Sequence, residues 1–225
     1  MKKSAAILLT LLMTISLAAC GGTDQSSERT GQDTEQNENN SSGETSAQKD
    51  TADDPESAGV DGEKILVAYF SATNTTEGVA EQIADGVGAD LYEIVPEEPY
   101  TDEDLDYNDD NSRTTIEMND PSARPAISGS VENMDEYGII FLGYPIWWGE
   151  APRIISTFME SYDFSGKTIV PFCTSGGSGI GSSAEKLAEL TDGAQWVEGE
   201  RFSGSASRDE IIEWVNGLGL NITAE

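Results

Sequence analysis

From Lys64 to the C-terminal region, short apolar runs alternate with stretches of helical spacing, and few folds accommodate that alternation. Ile65 to Phe70 is continuously apolar, which suits a strand buried on both faces. Val79, Ala80, Ile83, Ala84 and Val87 then recur at helical spacing, and Gly86 and Gly88 stand near the stop. Leu91 to Val95 reads as a second strand closed by Pro96, and Tyr137 to Gly143 as the next. Ala151 to Met159 is helical, with Pro152 in its first turn. Lys167 to Cys173 is a further strand, with Pro171 expected near its end because proline cannot donate to a ladder. Ser183 to Leu190 is helical and Ala194 to Val197 is an edge strand. Ser207 and Glu210 form a capping box for a last helix through about Leu218. Residues 97–130 are harder to read. Tyr107 to Asn111 looks like loop, and Ser112 is placed to cap a short helix through about Met118. Strands separated by helices imply parallel pairing, right-handed crossovers and helices on both faces, an α/β/α sandwich around a five-stranded parallel sheet.

In such a sheet, ligands bind outside the carboxyl ends of the strands. Three loops leave strand ends here. The first is Ser71, Ala72, Thr73, Asn74, Thr75 and Thr76, where four hydroxyl residues and an amide crowd the start of a helix. Free N–H groups and the helix dipole make such a place a phosphate cradle that needs no Lys or Arg. The same residues would also serve as a plain N-cap. The P-loop ending Gly-Lys-Ser/Thr and the fingerprint Gly-x-Gly-x-x-Gly are both missing from this loop. The second loop is Gly143, Tyr144, Pro145, Ile146, Trp147, Trp148 and Gly149. Adjacent side chains on a regular element point different ways, so two adjacent tryptophans cannot both enter one core. Flat aromatic groups at a ligand-binding edge suit a flat heteroaromatic ring, although one of them could instead be core and the other a helix cover. The third loop, Thr174, Ser175, Gly176, Gly177, Ser178, Gly179, Ile180 and Gly181, has four glycines that let backbone groups approach a ligand closely. A flexible surface loop has the same composition.

Together these residues resemble a known family. Tyr69 to Thr76 resembles the flavodoxin phosphate loop, Ser/Thr-x-Thr-Gly-Asn-Thr. Tyr144 to Gly149 and Thr174 to Gly179 resemble the two flavin loops of the short bacterial flavodoxin-like proteins, and Asp106 to Arg113 is also similar to that subgroup. The resemblance spans about residues 64–220. It implies the sheet order 2-1-3-4-5 and one non-covalent FMN. It also implies Ser71, Thr73, Thr75 and Thr76 on the phosphate, with the second and third loops flanking the isoalloxazine. Asn74-Thr75 stands where the family has Gly-Asn, and Asn tolerates left-handed backbone angles better than most residues.

Composition narrows the chemistry. The chain has 225 residues and a formal net charge of −30, which repels nucleic-acid phosphates and anionic lipid. There is no histidine, so Ser-His-Asp and Cys-His nucleophilic sites and His-ligated metals are excluded. The two cysteines, Cys20 and Cys173, offer no disulfide framework or metal site. Cys173 ends an apolar strand and reads as a core thiol, a redox role being the alternative. Two oxidoreductase readings follow. One is an electron carrier whose acidic surface docks a basic redox partner. The other is an NAD(P)H-dependent reductase passing electrons to a small acceptor such as a quinone. The absence of a second glycine-rich nucleotide motif disfavours the latter. Arg113, Arg124 and Arg153 would bind an anionic substrate or be paired surface charges. A lipid-anchored binding module without FMN is the reading from a different class.

The N-terminus reads as a targeting segment. Lys2 and Lys3 precede an apolar stretch from Ala5 to Leu12, too short for a comfortable membrane span. Leu17-Ala18-Ala19-Cys20-Gly21 resembles a bacterial lipobox, which implies removal of residues 1–19 and lipidation of Cys20. A plain signal peptide with an incidental cysteine is the alternative. Residues 20–62 carry almost no large apolar side chain and cannot offset their own ordering entropy, so they read as a disordered acidic linker. The expectation is an extracytoplasmic lipoprotein with a folded domain over residues 63–225, held at the cell membrane through Cys20.

Overall fold

The computed structural model describes residues 64–222 and 224; the leader, Cys20 and the linker lie outside the described residues. Strands β1 (Lys64–Tyr69), β2 (Asp90–Glu93), β5 (Tyr137–Pro145) and β6 (Thr168–Thr174) pair in parallel with β7 (Gln195–Trp196) and β8 (Glu200–Phe202). The spatial order is β2-β1-β5-β6-β7, with β8 also on β6. This is the expected 2-1-3-4-5 order with the fifth strand in two pieces. A separate antiparallel ribbon joins β3 (Val95–Pro96) to β4 (Ile127–Ser128). Helices α1 (Thr75–Val87), α2 (Arg113–Asn119), α3 (Arg153–Glu160), α4 (Ser183–Ala188) and α5 (Arg208–Gly217) complete the domain. No helix among the described residues is long and apolar enough to cross a membrane.

The period-two geometry of the strands separates two cores. Leu66, Ala68, Ile140, Leu142, Tyr144, Ile169 and Cys173 face α3 and α4, meeting Ile154, Ile155, Phe158 and Leu187. Val67, Tyr69, Ile139, Phe141, Val170 and Phe172 face α1 and α5, meeting Val79, Ala80, Ile83, Ile211 and Val215. The strands between the two helical layers are therefore apolar on both faces. Helix α1 stops where Gly88 takes φ 66° and returns its N–H to the Ala84 carbonyl. Ser112 and Ser207 cap α2 and α5 through their hydroxyls, accepting from the N–H groups of Thr115 and Glu210.

The structure corrects the sequence reading at several points. The second strand ends at Glu93, and Val95 belongs to the ribbon rather than to the main sheet. Helix α3 begins at Arg153, leaving Ala151 and Pro152 outside, with Pro152 at the cap. Helix α4 ends at Ala188 rather than Leu190. Pro171 sits in the middle of β6, not near its end. The Ile169 carbonyl accepts from Val197, so Pro171, two residues on, turns its missing N–H toward the same neighbour. That neighbour is where the fifth strand breaks: Ile169 pairs with Trp196, and pairing resumes only at Phe172 with Glu200. The sheet thus accommodates the missing donor by interrupting its edge. Gly199 lies in the gap, where an added Cβ would meet the Pro171 carbonyl oxygen at 2.6 Å.

Candidate functional site

The first loop follows β1 directly. Asn74 adopts φ 60°, ψ 7°, so the left-handed turn forms without glycine. No side chain caps α1, unlike α2 and α5, which leaves its first-turn N–H groups open to an external anion. Ser71 and Ala72 are half-buried, and Thr73, Asn74 and Thr75 are exposed. The hydroxyls of Thr73 and Thr75 lie 3.3 Å apart. Thr76 is buried, its hydroxyl 2.8 Å from that of Thr174.

Thr174 joins all three loops. Its hydroxyl meets Thr76 of the first loop, and its carbonyl accepts from the Ile146 N–H of the second at 3.0 Å. It opens the third loop itself. The first and second loops are also tied where the Phe70 N–H donates to the Gly143 carbonyl at 2.9 Å. The three strand-end loops that composition singled out separately are therefore tied together at their bases, through Thr76, Gly143, Ile146 and Thr174.

In the second loop, Trp147 and Glu150 exchange two backbone hydrogen bonds of 2.9 Å around Trp148 and Gly149. Both central residues have positive φ, 49° and 81°, as a tight hairpin turn with primed geometry demands. The two tryptophans consequently part company. Trp147 is half-buried, edge-on to Phe70 and Tyr100 at centroid distances of 5.5 and 5.4 Å. Trp148 is 46% exposed and held in a backbone conformation that costs an aromatic residue about 1–2 kcal/mol. Pro145 and Ile146 are half-buried and Gly149 is exposed. Glu150 fastens the turn, accepting from Lys186 and, at 3.1 Å, from Arg153. The Lys186 hydrogen bond, with Arg153 beside it, draws the Glu150 carboxyl below its usual range.

A cleft of about 360 Å³ opens over this loop, lined by Leu105, Tyr107, Thr114, Ile146, Trp147 and Trp148. Its walls are mainly apolar and aromatic, and its size suits a small organic ring. Leu105, Tyr107 and Thr114 were not among the sequence-derived site residues. Tyr107 is 75% exposed, an isolated aromatic in a run of Asp and Asn, and that oddity was the available signal. Its loop is fixed by local bonds: Asp106 and Asp109 each accept from the backbone N–H two residues on, and Thr114 donates to the Asp104 carbonyl at 2.6 Å.

The third loop is exposed from Gly176 to Gly179, and added Cβ atoms at Gly176, Gly177 and Gly179 would meet nothing within 4 Å. Ser175 and Ile180 are half-buried on either side of that stretch, and Cys173 is fully buried, which pushes its thiol up to about 12 and keeps it protonated. The three arginines flagged earlier are engaged in pairs and carbonyl contacts. Arg113 bonds Glu117 and lies over the Tyr100 ring, Arg124 forks onto Glu160, and Arg153 holds Glu150 and the Met118 carbonyl.

The family profile described as flavodoxin matches residues 64–218, the extent over which the fold and the three loops are laid out. The chain belongs to the flavodoxin family. Two solved structures of the same architecture are candidate flavoproteins, one from Bacteroides eggerthii and one from Bacteroides uniformis. The first is 49% identical with TM-score 0.67, covering 71% of this chain and 99% of the other. The second is 45% identical with TM-score 0.66, covering 69% and 99%. A flavoprotein from Lactobacillus acidophilus, solved in complex with FMN, is 23% identical with TM-score 0.51 over 68% of this chain and 99% of the other, and shares the fold. No curated protein matches the sequence.

The conformations of the two tryptophans separate their expected roles. Trp148→Gly relieves a positive φ and disturbs no core contact, so the thermal midpoint should stay within a few degrees of the parent. Loss of a stacking surface should weaken flavin binding by about 1–3 kcal/mol, on the scale seen for bases on aromatic side chains. Trp147→Ala removes packing on Phe70 and Tyr100 and should lower both. Thermal melts and flavin titrations of both variants check this, and undiminished flavin affinity in Trp148→Gly would remove Trp148 from the site.

Proposed function

We propose that this flavodoxin-family domain binds one FMN and carries electrons between partners outside the cytoplasm, tethered through Cys20. The observation that carries the reading is the single strand-end unit centred on Thr174. An uncapped helix N-terminus ringed by hydroxyls and an aromatic cleft are hydrogen-bonded to the same residue. A phosphate at one end and a flat ring at the other is the ligand such a unit fits. The relative from Lactobacillus acidophilus was solved with FMN.

In this reading, Ser71, Ala72, Thr73, Asn74, Thr75 and Thr76 surround the phosphate, meeting its charge with neutral donors and the α1 dipole. Pro145, Ile146, Trp147, Trp148 and Gly149 bind the ring on one side. Thr174, Ser175, Gly176, Gly177 and Gly179 offer backbone groups to its polar edge. Bound FMN supplies the electron chemistry, and the chain orients it and shields it from water. The acidic surface supports docking of a basic redox protein, with a small-molecule acceptor as the other partner class. A multiply acylated Cys20 would hold the domain at the membrane.

Spectroscopy of the full chain recovered from membranes tests the proposal. The purified protein should be yellow, or become so with added FMN, and Cys20→Ala should shift it to the soluble fraction. A protein that stays colourless with excess FMN overturns the cofactor, and an unmoved Cys20→Ala variant overturns the anchor. Rapid oxidation of NADH or NADPH by the loaded protein would favour the reductase reading over the carrier.

A further inference from the structure

We infer that Arg201 is a positioning residue that builds the third loop into a flavin-binding shape before any ligand arrives. The inference rests on the proposed flavin site and concerns a residue on β8, a strand that the sequence did not reveal.

The loop itself is poor in restraints. Gly176, Gly177 and Gly179 have open space where a Cβ would stand, and residues 174–184 carry no charged side chain. Ordering such a segment costs more conformational entropy than ordering any other, so something must hold it if it is to bind well. Ser183 holds its far end through the Ile180 carbonyl, and Ser175 is the point where its glycine-rich half is held. The Arg201 Nε donates to the Ser175 hydroxyl oxygen at 3.1 Å, and Nη2 donates to the Ser175 carbonyl at 2.5 Å. A planar guanidinium fixes both directions at once, which a lysine cannot do. The effect is passed onward, because the Ser175 hydroxyl donates to the Ser178 carbonyl and accepts from the Gly177 N–H at 3.3 Å. One arginine therefore sets the start, the middle and the turn of the loop.

The strand geometry puts Arg201 where this is possible. Cys173 pairs with Arg201 and Thr174 with Phe202, and the Ser175 N–H reaches the Phe202 carbonyl at 3.4 Å. The break beside Pro171 restarts the edge at Glu200, so β8 runs alongside the last residues of β6 where the loop begins. The arginine acts through the loop and needs no contact with the ligand. Its contribution is preorganisation, which lowers the cost of binding without adding an interaction.

The test compares the full chain with Arg201→Gln and Arg201→Lys. Dissociation constants for FMN and for riboflavin are measured by flavin fluorescence, and amide exchange is followed in the flavin-free protein. Arg201→Gln should weaken both flavins equally, by about tenfold, since the loop serves the ring and not the phosphate. Arg201→Lys should fall between the parent and Arg201→Gln. The amides of Gly176 to Gly179 should lose protection in Arg201→Gln while the thermal midpoint stays within about 2 °C. Unchanged affinity in Arg201→Gln, or a loss that merely follows a falling midpoint, overturns the inference. If the parent binds neither flavin, it is the proposed site that fails.

Discussion

Replacing Thr73 and Thr75 together with alanine should weaken FMN by about a hundredfold or more while leaving riboflavin nearly untouched. Each hydrogen bond to a charged group contributes about 1.5–3 kcal/mol, and about 1.4 kcal/mol is tenfold in affinity. Both side chains are exposed and, among the described residues, bond to each other at 3.3 Å, so removing them leaves no orphan in the core. The fold should change by no more than about 0.5 kcal/mol. Thr76 is unsuited to this test although it is in the same loop. Its hydroxyl is buried against Thr174, and Thr76→Ala would cut the link between the first and third loops. Calorimetry of the flavin-free protein with the two ligands separates phosphate from ring. Equal losses for FMN and riboflavin in the Thr73, Thr75 variant would move the phosphate elsewhere.

The layering of this domain was legible because its strands are apolar on both faces. Ile139 and Ile140 are neighbours in sequence and face opposite cores, which a continuous apolar run signals directly. The first loop was legible for a similar reason: hydroxyls crowded at a helix start have few uses. Asn74 in the left-handed region is the turn that its side chain was expected to permit. The rest depends on contacts distant in sequence. β8 has three residues, and nothing in Glu200-Arg201-Phe202 marks a strand until Pro171 is seen to break the edge beside it. The role of Arg201 is invisible for the same reason. The side of the cleft that faces the second loop, Leu105 and Tyr107, comes from a loop ordered by its own Asp and Asn side chains rather than by periodicity. The two tryptophans read alike in sequence and part only at a turn whose backbone angles composition does not encode.

Gly143→Ala should be among the most damaging single methyl groups that could be added to this domain. Gly143 lies in β5 between Tyr69 of β1 and Phe172 of β6, with the Phe172 ring packed over its α-carbon. A Cβ there would stand 2.3 Å from Cζ and 2.6 Å from Cε2 of that ring, where carbon atoms need about 3.5 Å. Phe172 is fully buried in the core beneath α1 and α5, so its ring cannot swing into solvent. Overpacking of this kind costs about 1–3 kcal/mol and occasionally more, and an overlap this deep belongs at the top of that range. For a domain of this size the thermal midpoint should fall by roughly 6–12 °C. The strain also reaches the site. The Gly143 carbonyl accepts from Phe70 at the start of the first loop, and Gly143 leads directly into Tyr144 and the second. Flavin affinity should therefore decline along with stability. A second change, Phe172→Leu, vacates the ring's space, so the double variant should be more stable than the sum of the two single losses allows. Thermal melts of the four proteins complete the cycle. Strict additivity would mean that the strand yields elsewhere and that the contact between Gly143 and Phe172 does not set the spacing on which both loops depend.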